Sequence, residues 1–220
     1  MKILITGEQN RADELRAKLS AGKDLEIDYS DGDADEDYKD YDCIFDLNFD
    51  DDPSNLEIYA GLRDKPVFVN AVKLSLNEAV YATNAKVKCQ LFGINGLLSF
   101  ISQSKWEVSL LRKFQTPELD ALMKQFNIEY LSVEDRVGLV KPRIIFMIIN
   151  EACYTLQEGT ASIEDIDTAM KLGTNYPFGP LEWCDKIGIT QVFETLVALY
   201  EDTKDERYKI CPLLKTKYLR

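Results

Sequence analysis

Apolar positions in the first 134 residues fall into short runs parted by polar stretches, and from residue 135 onward they recur at helical spacing. Lys2 to Thr6 is a β-rich run ending at Gly7, and Ala12, Leu15 and Leu19 then mark one face of a helix that Ala21-Gly22 stops. Leu25 to Tyr29 alternates as a second strand, and Tyr41 to Leu47 predicts a third. Ser54 is read as the N-cap of a helix reaching Leu62, and Pro66 to Asn70 is the compact apolar run of a buried parallel strand. Helical spacing from Ser75 to Val80, a strand from Val87 to Phe92, and a strand from Trp106 to Leu111 follow. Pro117 opens a helix through Phe126, and Glu129 to Val133 is a last short strand. Strands alternating with short helices predict a mostly parallel sheet covered on both faces.

Asp135-Arg136-Val137-Gly138 reads as a joint, which divides the chain into an α/β domain at 1–134 and an all-α domain at 135–220. Arg143 to Glu158 is expected to be a helix buried on most sides, with Ile144, Ile148, Ala152 and Leu156 on one stripe. Gly159 closes it, Ser162 to Asp165 opens a second helix that Gly173 ends, and Pro180 starts a third that Gly188 closes. Thr190 is expected to cap a fourth helix, and Cys211 to Leu219 to form a short last one.

Composition narrows the function. The net charge of −12 over 220 residues disfavours nucleic acid and anionic membrane as partners, since both are polyanions. Its acid is concentrated between Asp28 and Asp52, which reads as a solvated loop. Five cysteines without a Cys-x-x-Cys pair argue against disulfides and zinc and for a reducing, cytoplasmic setting, and no apolar run is long enough to span a membrane. The chain has no histidine, so no imidazole of its own can act as a general base or bind a metal.

Residues 135–140, Arg143, Asn150-Glu151-Ala152, Glu158 to Gly173, Tyr176 to Glu182 and Pro212-Leu213-Leu214 together resemble the C-terminal domain of L-3-hydroxyacyl-CoA dehydrogenases. The N-terminal half resembles that family's Rossmann-like dinucleotide-binding domain, shortened, with the acidic loop in place of a helical excursion. The resemblance implies an NAD-binding domain followed by a helical domain that dimerises and closes over an acyl-CoA, in the setting of fatty-acid metabolism.

The same resemblance places the family's working residues on positions that no longer suit the work. Its Gly-x-Gly-x-x-Gly turn falls on Gly7-Glu8-Gln9-Asn10-Arg11-Ala12, which keeps only Gly7. Gln9 adds a side chain where a diphosphate needs bare backbone, Glu8 adds negative charge, and Arg11 is expected as a solvated first-turn cation. Asp28 falls where an acid would meet the ribose. The catalytic histidine maps near Leu91, with Glu107 as the remnant of its orienting acid. The substrate-side serine maps near Leu74, one step from Ser75, and an asparagine maps on Pro142, which offers neither amide nor N–H. The expectation is a relative without NAD-dependent dehydrogenase activity, kept as a homodimeric acyl-CoA-binding or assembly module with neither cofactor nor metal. The alternative is an oxidoreductase of the same type with an altered site, for which Lys73, Lys141, Glu107 and Glu151 are the candidate groups.

Overall fold

The computed structural model describes residues 1–22, 24–31 and 37–220, so the middle of the expected acidic loop lies outside the described residues. The chain divides into two compact units, Met1–Leu139 and Val140–Arg220. The segment read as the joint is tied into the first of them. Asp135 accepts from the N–H groups of Leu76 and Asn77 at 2.8 and 3.0 Å, and the Gly138 N–H donates to the Val72 carbonyl.

The first unit is a seven-stranded sheet: β1 (Lys2–Thr6), β2 (Glu26–Ser30), β3 (Cys43–Asp46), β4 (Pro66–Asn70), β5 (Gln90–Ile94), β6 (Lys105–Leu110) and β7 (Glu129–Val133), in the order β2-β1-β3-β4-β5-β6-β7. All neighbours are parallel except β5 and β6. Strands β1, β3, β4 and β5 carry apolar residues on both sides because both faces are covered. On one face, Phe45, Phe68 and Phe92 sit in register on adjacent strands with ring centroids 4.8 and 5.0 Å apart. That ladder packs under α1 (Gln9–Leu19) and α4 (Thr116–Phe126) through Leu15, Leu19, Leu119 and Phe126. On the other face, Leu4, Ile44, Val67, Val69 and Leu91 pack against α2 (Leu56–Tyr59) and α3 (Leu76–Thr83). From β1 the chain crosses to β2 on one side and later to β3 on the other, so the topological switch point lies between β1 and β3.

Several local expectations shift. Asp52, not Ser54, caps the turn after β3, and a 3₁₀ segment leads into a helix of only four residues. The strand expected from Val87 runs instead from Gln90 to Ile94. Ser75 caps α3 in a reciprocal box with Glu78.

The second unit holds α5 (Lys141–Gln157), α6 (Ile163–Thr174), α7 (Pro180–Ile187), α8 (Ile189–Thr203) and α9 (Pro212–Tyr218). Helix α5 is buried on one face rather than on most sides. Ile145, Phe146, Ile149 and Cys153 form its core face, while Ile144 on the expected stripe is half exposed. Gly173 lies inside the last turn of α6, and Asn175 supplies the left-handed cap at φ 56°. Gly188, not Thr190, precedes α8. The corner between α6 and α7 rests on Asp167. Its buried carboxylate accepts from the N–H groups of Leu181 and Glu182 at 2.8 and 3.0 Å, at the N-terminus of α7. Asp167 packs so closely on Gly179 that a Cβ there would overlap its side chain. The C-terminal segment is fastened by Asn150, whose amide donates to the Lys209 carbonyl at 2.9 Å and accepts from the Cys211 N–H at 2.8 Å.

Candidate functional site

In an open parallel sheet, ligands meet the carboxyl ends of the strands beside the switch point. Here that edge begins with the turn from β1 into α1. Gly7 has φ 116°, a conformation that favours glycine, and a Cβ at Gly7 would lie 2.9 Å from Asn48 Oδ1. The same Asn48 oxygen accepts from the Glu8 N–H at 3.2 Å, and Tyr29 donates its hydroxyl to the Gly7 carbonyl at 2.9 Å. Asn48 thus takes the first amide of the turn, the kind of donor a diphosphate would use. Gly7 is required by its backbone and by Asn48, whatever the turn binds.

Arg11 corrects an expectation. It is 1% exposed rather than solvated. Its guanidinium donates from Nη1 to the Leu47 carbonyl at 2.7 Å and pairs through Nε with Glu8 at 3.2 Å. Its Nη2 is buried with no hydrogen-bond partner among the described residues. Asp28 lies in the middle of β2, not at its carboxyl end, and pairs with Lys2 at 3.3 Å. Gln9 is exposed and donates to Asp13. A blocked amide, a side chain at Gln9, the charge of Glu8 and an acid on the wrong level of β2 do not fit a dinucleotide held through its pyrophosphate and ribose.

The acidic stretch read as solvated also holds two buried carboxylates at this edge. Asp46 accepts from the Tyr59 hydroxyl at 2.9 Å, the Asn48 N–H at 3.0 Å and the Asn55 amide at 3.2 Å. Burial raises its pKa despite those donors. Asp50 accepts from the Asn70 amide at 2.7 Å and from the N–H groups of Val72 and Lys73 at 3.1 Å each. Burial pushes it up to about 6, against the pull of Lys73. Asn70 in turn accepts from the Gly96 N–H at 2.8 Å, so Asp50 ties β3, the end of β4 and the end of β5 together. The sequence hid Asp50 among acids, and only the buried Leu47 and Phe49 beside it mark that part of the run as folded inward.

The expected base position lies in the core. Leu91 is fully buried inside β5 and packs into the core beneath α2 and α3, with the Leu111 N–H donating to its carbonyl. The antiparallel register pairs Ile94 with Val108, and one step further sets Asn95 opposite Glu107. By alternation these two share a sheet face with Gly93 and Ser109. Glu107 is buried. Asn95 accepts from the Leu97 N–H at 3.3 Å, and its amide Nδ2 is a buried donor without a partner among the described residues. An amide stands opposite the acid, and an amide cannot take up a proton near neutral pH. Leu74 packs toward the core, and Ser75 is committed to capping α3. Of the other candidate groups, Lys73 forms an ion pair with Asp51.

In the second unit, Pro142 is buried in the first turn of α5, and Arg143 reaches Asp202 and the Tyr208 hydroxyl at 3.4 Å each. Lys141 begins α5, and Glu151 is exposed on it, at the rim of a groove of ≈ 470 Å³. Ile148, Ala152, Ile166, Met170 and Pro180 line that groove. All five cysteines are buried free thiols. Among the described residues no helix is long and apolar enough to cross a membrane.

Residues 138–219 match the model of the 3-hydroxyacyl-CoA dehydrogenase C-terminal domain. The chain is 30% identical over 187 residues to a 3-hydroxybutyryl-CoA dehydrogenase of Clostridioides difficile, covering 81% of this chain and 66% of that protein. It is 45% identical over 89 residues to the 3-hydroxyadipyl-CoA dehydrogenase of Escherichia coli (strain K12), covering 40% of this chain and 19% of that one. The chain therefore spans less than two thirds of either relative. In fold it is similar to the crystal structure of (S)-3-hydroxybutyryl-CoA dehydrogenase PaaH1 from Ralstonia eutropha, with a TM-score of 0.73 at 20% identity, covering 98% of this chain and 92% of that one.

Proposed function

This chain belongs to the 3-hydroxyacyl-CoA dehydrogenase family, and we propose that it is a divergent member without NAD-dependent dehydrogenase activity, retained as a dimeric acyl-CoA-binding module. The observation that carries the reading is Asn95 opposite Glu107 in a chain with no histidine. Moving a hydride off an alcohol carbon requires a group that takes the hydroxyl proton. Loss of such a base costs about 10²–10⁴-fold in rate. The turn at Gly7 to Ala12 adds a second obstacle, because Asn48 and Gln9 stand where a diphosphate would need bare amides.

The helical unit supports the dimeric part of this reading. The groove beside α5 and α6 is mostly apolar, and Ile144, Ile163 and Leu172 lie exposed on the same two helices. Exposed apolar area of this kind marks a contact surface. A second copy of the chain is the occupant we assign to it. The charge of −12 fits neither nucleic acid nor an anionic membrane as partner.

One observation favours a second reading, an oxidoreductase with an altered site. Asp50 is a buried carboxyl at the carboxyl edge with its pKa pushed up to about 6, a range suited to proton transfer. The test is a fluorescence titration with NADH beside thermal-shift measurements with acetoacetyl-CoA and free CoA. Stabilisation by the thioester without saturable NADH binding is expected. Saturable micromolar NADH binding contradicts the reading of the turn, and no response to either CoA compound contradicts the acyl-CoA role.

A further inference from the structure

Helix α8 carries two apolar stripes, and the core uses one. Val192, Leu196 and Leu199 are fully buried, whereas Phe193, Val197 and Tyr200, spaced at i, i+4 and i+7, turn outward and Val197 is 39% exposed. A stripe of this kind on a solvent face calls for a cover. Part of the cover is the chain's own: Tyr208-Lys209-Ile210 and Lys215 stand across from it and enclose a cavity of ≈ 360 Å³. That volume is at the lower end of small-molecule sites, about 300–1,000 Å³.

The walls are held before any ligand arrives. Phe193 stacks on Tyr218 with centroids 4.0 Å apart and planes 13° apart, and the Tyr218 hydroxyl donates to Glu194 at 3.1 Å. Tyr200 donates to Glu206 at 3.3 Å, and the buried Tyr208 accepts from Arg143 at 3.4 Å. Aromatic walls fixed in this way bind flat rings at low entropic cost. Two ammonium groups stand at the mouth, those of Lys209 and Lys215. Lys209 pairs only with the exposed Glu206 at 3.7 Å, a weak surface pair. Lys215 has no carboxylate within ion-pair distance among the described residues.

From the aromatic walls and the two ammonium groups we infer that this cavity binds an aromatic anion of nucleotide size, its ring against Phe193, Val197 and Tyr200 and its anionic group at Lys215 and Lys209. The site lies wholly within the helical unit and does not depend on the acyl-CoA reading. The probe is anilinonaphthalene sulfonate, titrated by fluorescence into the full chain, with AMP as competitor and adenosine as its neutral control. Saturable binding is expected, displaced by AMP and not by adenosine, and at least tenfold weaker in K209E/K215E, whose substituted positions are both exposed and leave the fold intact. Ala169→Glu in the separate groove beside α6 is expected to leave it unchanged. Absence of saturable binding, equal binding by K209E/K215E, equal displacement by adenosine, failure of AMP to displace the probe, or loss only in Ala169→Glu would each overturn the assignment.

Discussion

Replacing Asp50 by asparagine removes a titration that the fold forces on a buried group. The ordinary carboxyl value of 3.8 is pushed up to about 6 by burial, with Asp51 adding to the shift and Lys73 and Arg11 opposing it. Because the folded value lies above the unfolded one, the group's contribution is fully present below about 3.8 and is lost as pH rises through about 6. At about 1.4 kcal/mol per decade the whole contribution is roughly 3 kcal/mol, of which about 1.4 kcal/mol separates pH 5 from pH 7.5. Asp50→Asn also puts an amide donor against either the Asn70 amide or the N–H groups of Val72 and Lys73, a baseline cost of about 1–3 kcal/mol at every pH. The slope with pH is therefore the diagnostic, not the offset. Asp46 titrates in the same direction but is common to both proteins and cancels. Urea unfolding at pH 5 and 7.5 should show the parent gaining about 1.4 kcal/mol more than Asp50→Asn on going to the lower pH. Equal slopes would show that Asp50 is not held in the desolvated position between β3 and β4, and the network at the carboxyl edge would have to be redrawn.

Other consequences are local. Gly179→Ala pushes a methyl into Asp167 at the start of α7 and should cost about 1–3 kcal/mol in urea unfolding, with a cost under 0.5 kcal/mol contradicting the packing at that corner. Asn150→Ala leaves the Cys211 N–H and the Lys209 carbonyl without their partner and should cost about 2 kcal/mol, read as earlier hydrogen exchange at residues 209–213 than elsewhere in the helical unit. Ile148→Glu places a charge on the groove assigned to a second copy. Light scattering should show a dimer for the parent and a monomer for the variant, and a monomeric parent would remove the assignment.

The fold was legible where one physical rule governs a residue. Phe45, Phe68 and Phe92 lie in apolar runs that only a sheet covered on both sides can bury, and the parallel order follows from their alternation with helices. Caps were less legible, because several residues near a helix end can serve. Thr190 and Gly188 compete two residues apart, and the backbone at φ 97° decides for glycine. The site was legible in residue types and not in positions. The missing histidine is plain in the composition, but what faces Glu107 depends on register: Leu91 faces the core, and the pairing of Ile94 with Val108 sets Asn95 opposite that acid. Arg11 and Asp50 read as solvated charges because a sequence does not show what closes over a charge. Here Leu47, Asn70 and the loop amides of Val72 and Lys73 do so.

We propose that this family member does not transfer hydride from NADH to a 3-oxoacyl-CoA. The direct measurement is NADH consumption by the purified chain with acetoacetyl-CoA, followed by absorbance against a reaction without protein. A rate indistinguishable from that background is expected at every NADH concentration. A rate that saturates with both NADH and acetoacetyl-CoA and scales with protein concentration would contradict it.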